Sequence, residues 1–186
     1  KKDQQLYIYF EGVYNRSEVF VNGHSLGKRP NGYVSFMYDL TPHLKYGADN
    51  TIAVRVDHTQ DADSRWYTGS GIYRDVWLVQ ANKVHLEPWG LYVYPEVTKN
   101  KGTLKIETPV QNHSDQAVNL QVTHTLVDAA GKTVTKKTTK LNVPKNGKQT
   151  VNNALEVRDP ELWNLDNPTL YTLQTTVTQD GKIVDQ

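Results

Sequence analysis

The chain of 186 residues contains no cysteine. This absence excludes a disulfide-stapled scaffold, a thiolate metal site and catalysis by a cysteine nucleophile. It does not identify the compartment. Because any leader peptide would precede the residues present here, the compartment stays open, and export to the periplasm or the medium is the expectation that we favour.

Neither sign of charge is in excess, since 21 basic and 20 acidic residues give a net charge of +1. A balanced chain lacks the broad basic surface that binds nucleic acid or an anionic membrane. The sequence also lacks the run of about 18 apolar residues that a membrane-spanning helix requires. We therefore expect neither nucleic acid nor a membrane as a partner.

Amphipathic helical periodicity is missing, whereas the alternation typical of β-strands is frequent. In a first unit, residues 1–83, strands are predicted at 6–11, 17–21, 24–26, 33–40, 51–57 and 72–79. Asn22-Gly23 predicts a type I′ hairpin turn, because both residue types tolerate positive φ. The fold class predicted for the whole chain is all-β.

A second unit, residues 84–186, has strand-like segments at the spacing of a β-sandwich. They lie at 103–110, 118–127, 133–143, 149–157 and 170–177. Lys136 and Lys137 are expected on a solvated strand that blocks edge pairing. This unit is predicted to be an immunoglobulin-like sandwich without the usual disulfide.

Histidines are few and scattered, and no pair has the close spacing of a helical zinc motif, so no metal site is predicted. His124 shares its strand face with aliphatic residues, which favours a hydrogen-bonded core histidine over a ligand. Trp163 follows the turn at Asp159-Pro160. We expect it to be buried as a core side chain and not to serve as a sugar platform.

The first unit has only about six predicted strands, fewer than the eight of a jelly roll. The chain starts almost directly in a strand, and the last residues, TVTQDGKIVDQ, read as an unfinished hairpin. We therefore expect a partial jelly-roll β-sandwich and a chain that is part of a longer protein.

Five motifs occur along the chain in a characteristic order. They are EVFVNGHSLG, YVSFMYDLTPHL, NTIAVRVD, SRWYTGSGIYRDVWL and DPELWNLDNPTLYTLQTTVTQDGK. In order and spacing they resemble glycoside hydrolase family 2, which includes β-galactosidases, β-glucuronidases and β-mannosidases. The resemblance runs from the later strands of the family's N-terminal sugar-binding jelly roll through its immunoglobulin-like domain. Among family members the β-galactosidases look most similar.

The resemblance implies a retaining glycosidase as the parent protein, with an acid/base and a nucleophilic carboxyl group about 5 Å apart. In the family both glutamates stand on a (β/α)8 barrel that follows the immunoglobulin-like domain. No catalytic residue and no glycosidase activity are therefore expected in this chain alone. The resemblance also implies a carbohydrate substrate bound through the barrel, magnesium or sodium ions in the intact enzyme, and an oligomer there. No cofactor is expected in the chain itself.

The resemblance also implies which residues approach the sugar. In similar β-galactosidases the loop before Gly-Ser-Gly reaches the mouth of the barrel, where an acidic residue helps to hold the terminal sugar. Asp63 and Arg65 are the candidates for this contact, since a carboxylate accepts from vicinal hydroxyls and a guanidinium donates in a fixed fork. Trp66 is the candidate for stacking on a sugar face.

Two other interpretations stay open. The aromatic residues around the turn, which are Trp66, Tyr67, Tyr73 and Trp77, are also what a domain interface would bury. Arg74 is then expected to be buried against carbonyls or a carboxylate. The whole chain is also compatible with a free-standing carbohydrate-binding module or a structural tandem of β-domains.

Overall fold

The computed structural model describes residues 3–59 and 67–186. The chain divides into two compact units, Lys1–Ala81 and Asn82–Gln186. Within the described ranges the regular elements are sixteen β-strands and one short 3₁₀ helix, which confirms the all-β prediction. Those same ranges contain no helix long and apolar enough to cross a membrane.

The first unit contains eight strands and the 3₁₀ helix Thr41–His43. The strands are β1 (Gln4–Phe10), β2 (Val13–Tyr14), β3 (Ser17–Val21), β4 (His24–Arg29), β5 (Phe36–Asp39), β6 (Ile52–Arg55), β7 (Gly71–Ile72) and β8 (Val76–Asn82). They form sheets of order β5-β1-β8 and β4-β3-β6 and the pair β2-β7. The unit is thus a β-sandwich, as predicted, and its eight strands exceed the six that the sequence indicates.

Its core lies between these sheets, because one residue in two along the strands points inwards. The core residues are Ile8, Phe10, Val13, Val19, Val21, Phe36 and Leu40. Phe10 and Phe36 stack with ring centroids 5.0 Å apart. This apolar contact joins β1 to β5 and fixes one end of the sandwich.

The predicted hairpin joins β3 to β4. Asn22 and Gly23 have φ values of 50° and 85°, as a type I′ turn requires. The Asn22 amide also donates to the carbonyl oxygen of His43 at 2.8 Å. The turn residue therefore anchors the hairpin to the end of the 3₁₀ helix.

The strand predicted at 72–79 is interrupted, and that prediction is wrong in detail. β7 ends at Ile72 and β8 begins at Val76. Between them Tyr73 donates its backbone N–H to the carbonyl of Gly12 (3.3 Å), and the backbone N–H of Glu11 donates to the carbonyl of Asp75 (3.1 Å). The chain here leaves the β2-β7 pair and joins the β5-β1-β8 sheet, and this corner breaks the regular alternation.

The second unit contains the other eight strands. They are β9 (Val84–Leu86), β10 (Tyr92–Thr98), β11 (Lys101–Asn112), β12 (Val118–Val127), β13 (Thr133–Val143), β14 (Gly147–Arg158), β15 (Thr172–Gln179) and β16 (Lys182–Asp185). One sheet has the order β10-β11-β14, with β9 also paired to β11, and the other has the order β13-β12-β15-β16. This is the predicted immunoglobulin-like sandwich, and apolar side chains of both sheets replace the missing disulfide.

His124 on β12 is fully buried in this core. The Asn153 amide donates to its Nδ1 at 2.9 Å, so the ring carries its proton on Nε2, which donates to the Thr108 hydroxyl at 2.8 Å. Burial lowers the pKa of His124, and the positive charge of Lys137 lowers it further. The interpretation of this residue as a structural core histidine is confirmed.

The edge prediction is also confirmed, because Lys136 and Lys137 are exposed on β13, which lies at one edge of its sheet. The prediction for Trp163 is wrong, since 57% of this side chain is exposed. Trp163 follows Pro160 in an irregular segment at the rim of the unit and lines an apolar cavity of about 230 Å³ together with Leu104 and Leu126. Its ring therefore borders the core instead of filling it.

Candidate functional site

The candidate site is the base of the loop that carries the predicted sugar contacts. Asp63, Arg65 and Trp66 lie outside the described residues. The segments that lead into and out of residues 60–66 are described, and they come together at one end of the first unit.

His58 joins the two stems of this loop. Its Nδ1 lies 2.7 Å from the Ser70 hydroxyl, and its Nε2 lies 3.3 Å from the Thr68 hydroxyl. A hydroxyl both donates and accepts, so each contact forms in either neutral tautomer of the ring. One side chain thus connects the first stem of the loop to two residues of the second.

Aromatic packing fixes the position of that histidine. The Tyr14 ring meets the His58 ring edge to face with centroids 5.2 Å apart, and Tyr14 also contacts Tyr33 at 5.3 Å. Such edge-to-face pairs contribute beyond the area they bury. Tyr14 also pairs with Gly71 in the β2-β7 ladder. Its side chain therefore contacts the first stem at His58, and its backbone pairs with the second stem at Gly71.

Gly71 is the glycine of the turn whose backbone requires that residue type. Its φ is +112°, a region that side chains with a Cβ atom rarely adopt. At Gly69 an added Cβ atom would meet no atom within 4 Å, and the residue has no such φ value. Only the second glycine is therefore needed for the course of the chain from the loop into β7.

Asp57 caps the first stem. Its Oδ1 accepts from the backbone N–H of Thr59 at 3.1 Å and from the Thr59 hydroxyl at 2.7 Å. These hydrogen bonds lower the pKa of Asp57, and the neighbouring Arg16 and Arg55 lower it further. The carboxylate is therefore ionised and shapes the turn; it does not act as a proton donor.

Sequence reasoning proposed Asp63 and Arg65 nearer the turn and missed Asp57 and His58. The spacing of Asp57 and Thr59 is that of an Asx turn, a signal that the sequence does contain. No local pattern marks His58, because its partners Thr68 and Ser70 lie on the far side of the loop.

The residues that follow the turn are more exposed than predicted. Trp77 is 51% exposed and donates from Nε1 to the Glu11 carboxylate at 3.0 Å, and Tyr73 is 47% exposed and donates its hydroxyl to the Gly32 carbonyl at 2.9 Å. Arg74 is exposed, with its guanidinium 5.7 Å from the centre of the Tyr73 ring. The predicted burial of Arg74 is wrong, because the chain turns a corner at this residue and directs it outwards.

Metal ions in proteins are usually held by three or more side-chain ligands placed around one point. Residues 3–59 and 67–186 contain no group of three histidine, aspartate or glutamate side chains placed to hold a metal ion.

Similarity to known proteins covers nearly the whole chain. Residues 1–82 match the family model described as glycosyl hydrolases family 2, sugar binding domain, and residues 84–186 match that described as glycosyl hydrolases family 2. The chain is 45% identical over 181 residues to β-galactosidase BoGH2A of Bacteroides ovatus, covering 96% of this chain and 21% of that protein. It is 30% identical over 205 residues to a β-glucuronidase of Formosa agariphila, covering 99% of this chain and 21% of that protein.

A solved structure of a glycosyl hydrolase family 2 member from Bacteroides cellulosilyticus superposes with a TM-score of 0.89 at 34% identity. It matches 99% of this chain, which covers 25% of that one. The chain therefore spans about a fifth to a quarter of the length of these relatives. Because both family models match and the fold is shared, the chain belongs to glycosyl hydrolases family 2.

Proposed function

We propose that the protein containing this chain is a retaining β-galactosidase that hydrolyses terminal β-D-galactosides. The support is the 45% identity to a relative named as a β-galactosidase. In a retaining mechanism one carboxyl group protonates the leaving oxygen and a second attacks the anomeric carbon. We assign both groups to a catalytic barrel outside this chain, together with any requirement for magnesium or sodium.

The role that we propose for this chain is to present a sugar-binding loop. The observation that carries this proposal is the joining of both loop stems by His58 through Ser70 and Thr68. A loop with tied stems loses less conformational entropy when a ligand orders it. Asp63 and Arg65 would then meet sugar hydroxyls, and Trp66 would meet an apolar sugar face.

A β-glucuronidase is the second candidate, because another relative, 30% identical over the same region, has that name. The two sugars differ in the group at C5, which is a hydroxymethyl in galactose and a carboxylate in glucuronic acid, and in the configuration of the hydroxyl at C4. A loop that contacts hydroxyls common to both sugars would serve either enzyme. The choice therefore depends on the sugar preference of the whole protein.

The experiment is a kinetic comparison of the full-length protein on p-nitrophenyl β-galactoside and β-glucuronide. We expect the galactoside to be preferred, and a preference for the glucuronide would overturn the β-galactosidase assignment.

The role of the loop is tested by the variants Asp63→Asn, Arg65→Gln and Trp66→Ala. They are compared with Asp49→Asn, which changes an exposed carboxylate elsewhere in the first unit. Removing a charged hydrogen-bond partner costs about 1.5–3 kcal/mol, so kcat/KM should fall roughly 10- to 150-fold in the Asp63 or Arg65 variant. Unchanged kinetics in all three loop variants would refute the role of the loop without touching the enzyme assignment.

A further inference from the structure

We propose that a groove on the outer face of the β4-β3-β6 sheet binds an oxyanion carried by a glycan, either a sulfate ester or a uronate carboxylate. The groove has a volume of about 370 Å³, within the usual range for small-ligand sites. Its wall contains Pro30 and six charged residues. These are the cations Arg16, Lys28, Arg29 and Arg55 and the carboxylates Glu18 and Asp57.

Strand register brings these charges together. Along β3 the side chains of Ser17, Val19 and Val21 are buried, so Glu18 between them lies on the outer face. Glu18 is opposite Lys28 on β4 and opposite Arg55 on β6. One carboxylate is therefore flanked by two cations from the neighbouring strands.

The Glu18 carboxylate already has its partners. Its Oε1 accepts from the Ser25 hydroxyl at 3.0 Å, and its Oε2 lies 3.7 Å from the Lys28 ammonium. On the other side of the groove, Asp57 is bound by Thr59 and lies 3.9 Å from Arg16 Nη2. Each carboxylate thus has a hydrogen bond and an ion pair with groups other than Arg29 and Arg55, although Arg55 is near enough to Asp57 to lower the pKa of that carboxylate.

Arg55 carries the positive charge that remains on the outer face, because Arg29 is opposite the buried Ser17 and its side chain therefore points to the inner face. Within residues 3–59 and 67–186, neither guanidinium has a carboxylate within ion-pair distance. Arg29 lies over the rings of Tyr38 and Phe36, at 5.3 and 5.9 Å from their centres, which limits its orientations. This contact with a core ring agrees with an inner position of Arg29, whereas the Arg55 guanidinium lies on the outer face and can donate two parallel hydrogen bonds to an oxyanion.

The charge balance favours an anionic ligand. On the outer face, three cations and two carboxylates of the groove give a net charge of +1, whereas the rest of the chain has 18 basic and 18 acidic residues. The positive potential is therefore local, and it suits one small anionic group and not a polyanion.

A glycan is the carrier that fits this domain. The groove lies in the part of the chain that matches the sugar binding domain of the family. Pro30 and the aliphatic stems of the arginines supply apolar surface on which a sugar ring can rest. Asp57 both lines the groove and accepts from the backbone N–H of Thr59, so the groove adjoins the first stem of the candidate site. The binding site does not depend on which glycoside the whole protein hydrolyses.

The test is calorimetric titration of the 186-residue chain at low ionic strength with four probes. They are methyl β-D-galactoside, its 6-O-sulfate, methyl β-D-galacturonide and sodium sulfate. We expect one or both anionic sugars to bind about tenfold tighter than the neutral sugar, and added salt to weaken them. The stronger of the two identifies sulfate ester or carboxylate as the recognised group. Equal binding of neutral and anionic sugars, or sodium sulfate binding as tightly as the sulfated sugar, overturns the proposal.

The variants identify the groove as the place of binding. Arg55→Gln should weaken the anionic sugar about tenfold, and Arg55→Lys should weaken it less because the charge remains. Arg74→Gln, an exposed arginine of the same unit outside the groove, is the matched control and should bind as the parent chain does. Unchanged affinity in Arg55→Gln refutes the site, and thermal unfolding checks that this variant keeps the fold.

Discussion

The hydrogen-bonded histidine in the core of the second unit offers a quantitative prediction. His124 has no exposed surface and links β12 to β11 and β14 of the other sheet through Thr108 and Asn153. In His124→Leu a side chain of similar size fills the space but neither donates nor accepts. The Thr108 hydroxyl and the Asn153 amide then stay buried without these partners.

The magnitude follows from the two orphaned groups. Leaving a buried polar group unsatisfied costs about 1–3 kcal/mol, so His124→Leu should lower the free energy of unfolding of the second unit by about 2–6 kcal/mol. Replacing all three members together is less costly, because no buried polar atom of the trio then lacks a partner. The variant Thr108→Val/His124→Leu/Asn153→Leu should therefore recover at least half of the loss.

The assay is urea unfolding followed by circular dichroism, combined with hydrogen exchange of peptides from residues 118–158, which assigns the loss to the second unit. Lys136→Ala, an exposed position on the neighbouring strand, is the control and should stay within about 0.5 kcal/mol of the parent chain. A loss below about 1 kcal/mol in His124→Leu, or a triple variant less stable than the single one, would show that the hydrogen bonds do not hold this core together.

Three further predictions concern pH and two glycines. Because burial lowers the pKa of His124, the unfolded chain binds its proton more readily; stability of the second unit should be complete above about pH 6.5 and fall below it, by at most about 1.4 kcal/mol per pH unit. Urea unfolding between pH 5 and 8 measures this slope, which His124→Leu should remove; an equal slope in that variant would contradict it. Gly12→Ala would place a Cβ atom 2.6 Å from Tyr73 Cζ and should destabilise the first unit by about 1–3 kcal/mol. Gly71→Ala should cost a similar amount through its φ of +112°, again about 1–3 kcal/mol. Gly69→Ala meets no atom within 4 Å and is the control for both glycines in thermal unfolding; a loss equal to theirs would rule out both explanations.

Much of the fold was predictable because the patterns that indicate strands and turns involve residues close together in the sequence. Alternation of apolar and polar residues located most of the strands, and Asn22-Gly23 identified its hairpin through two positive φ values. His124 was assigned to the core from its aliphatic neighbours on the same face, and its complete burial agrees. The family motifs extended these predictions to the two domain types.

The wrong predictions concern segments that leave a regular strand. The strand predicted at 72–79 breaks at the corner that carries Arg74, and that corner turns the guanidinium outwards. Trp163 has the composition of a core residue but lies on an irregular rim segment. Large apolar residue types are usually buried, but whether a given side chain is buried depends on where its segment lies relative to the sheets.

The candidate site was predictable only in part for the same reason. The motif around Gly69 and Gly71 indicated a sugar-binding loop, but His58 became relevant only when folding brought it to Ser70 and Thr68.

Composition, alternation and turn residues are properties of neighbouring positions along the chain, and they suffice for the strand content and the turns, whereas the family was identified from its motifs. Contacts between distant positions depend on strand register, which a local pattern does not contain. Only the tertiary structure therefore placed Arg55 beside Glu18 and Lys28 on one outer sheet face. The same folding joined the two loop stems at His58, although nothing in the sequence near that histidine marks it.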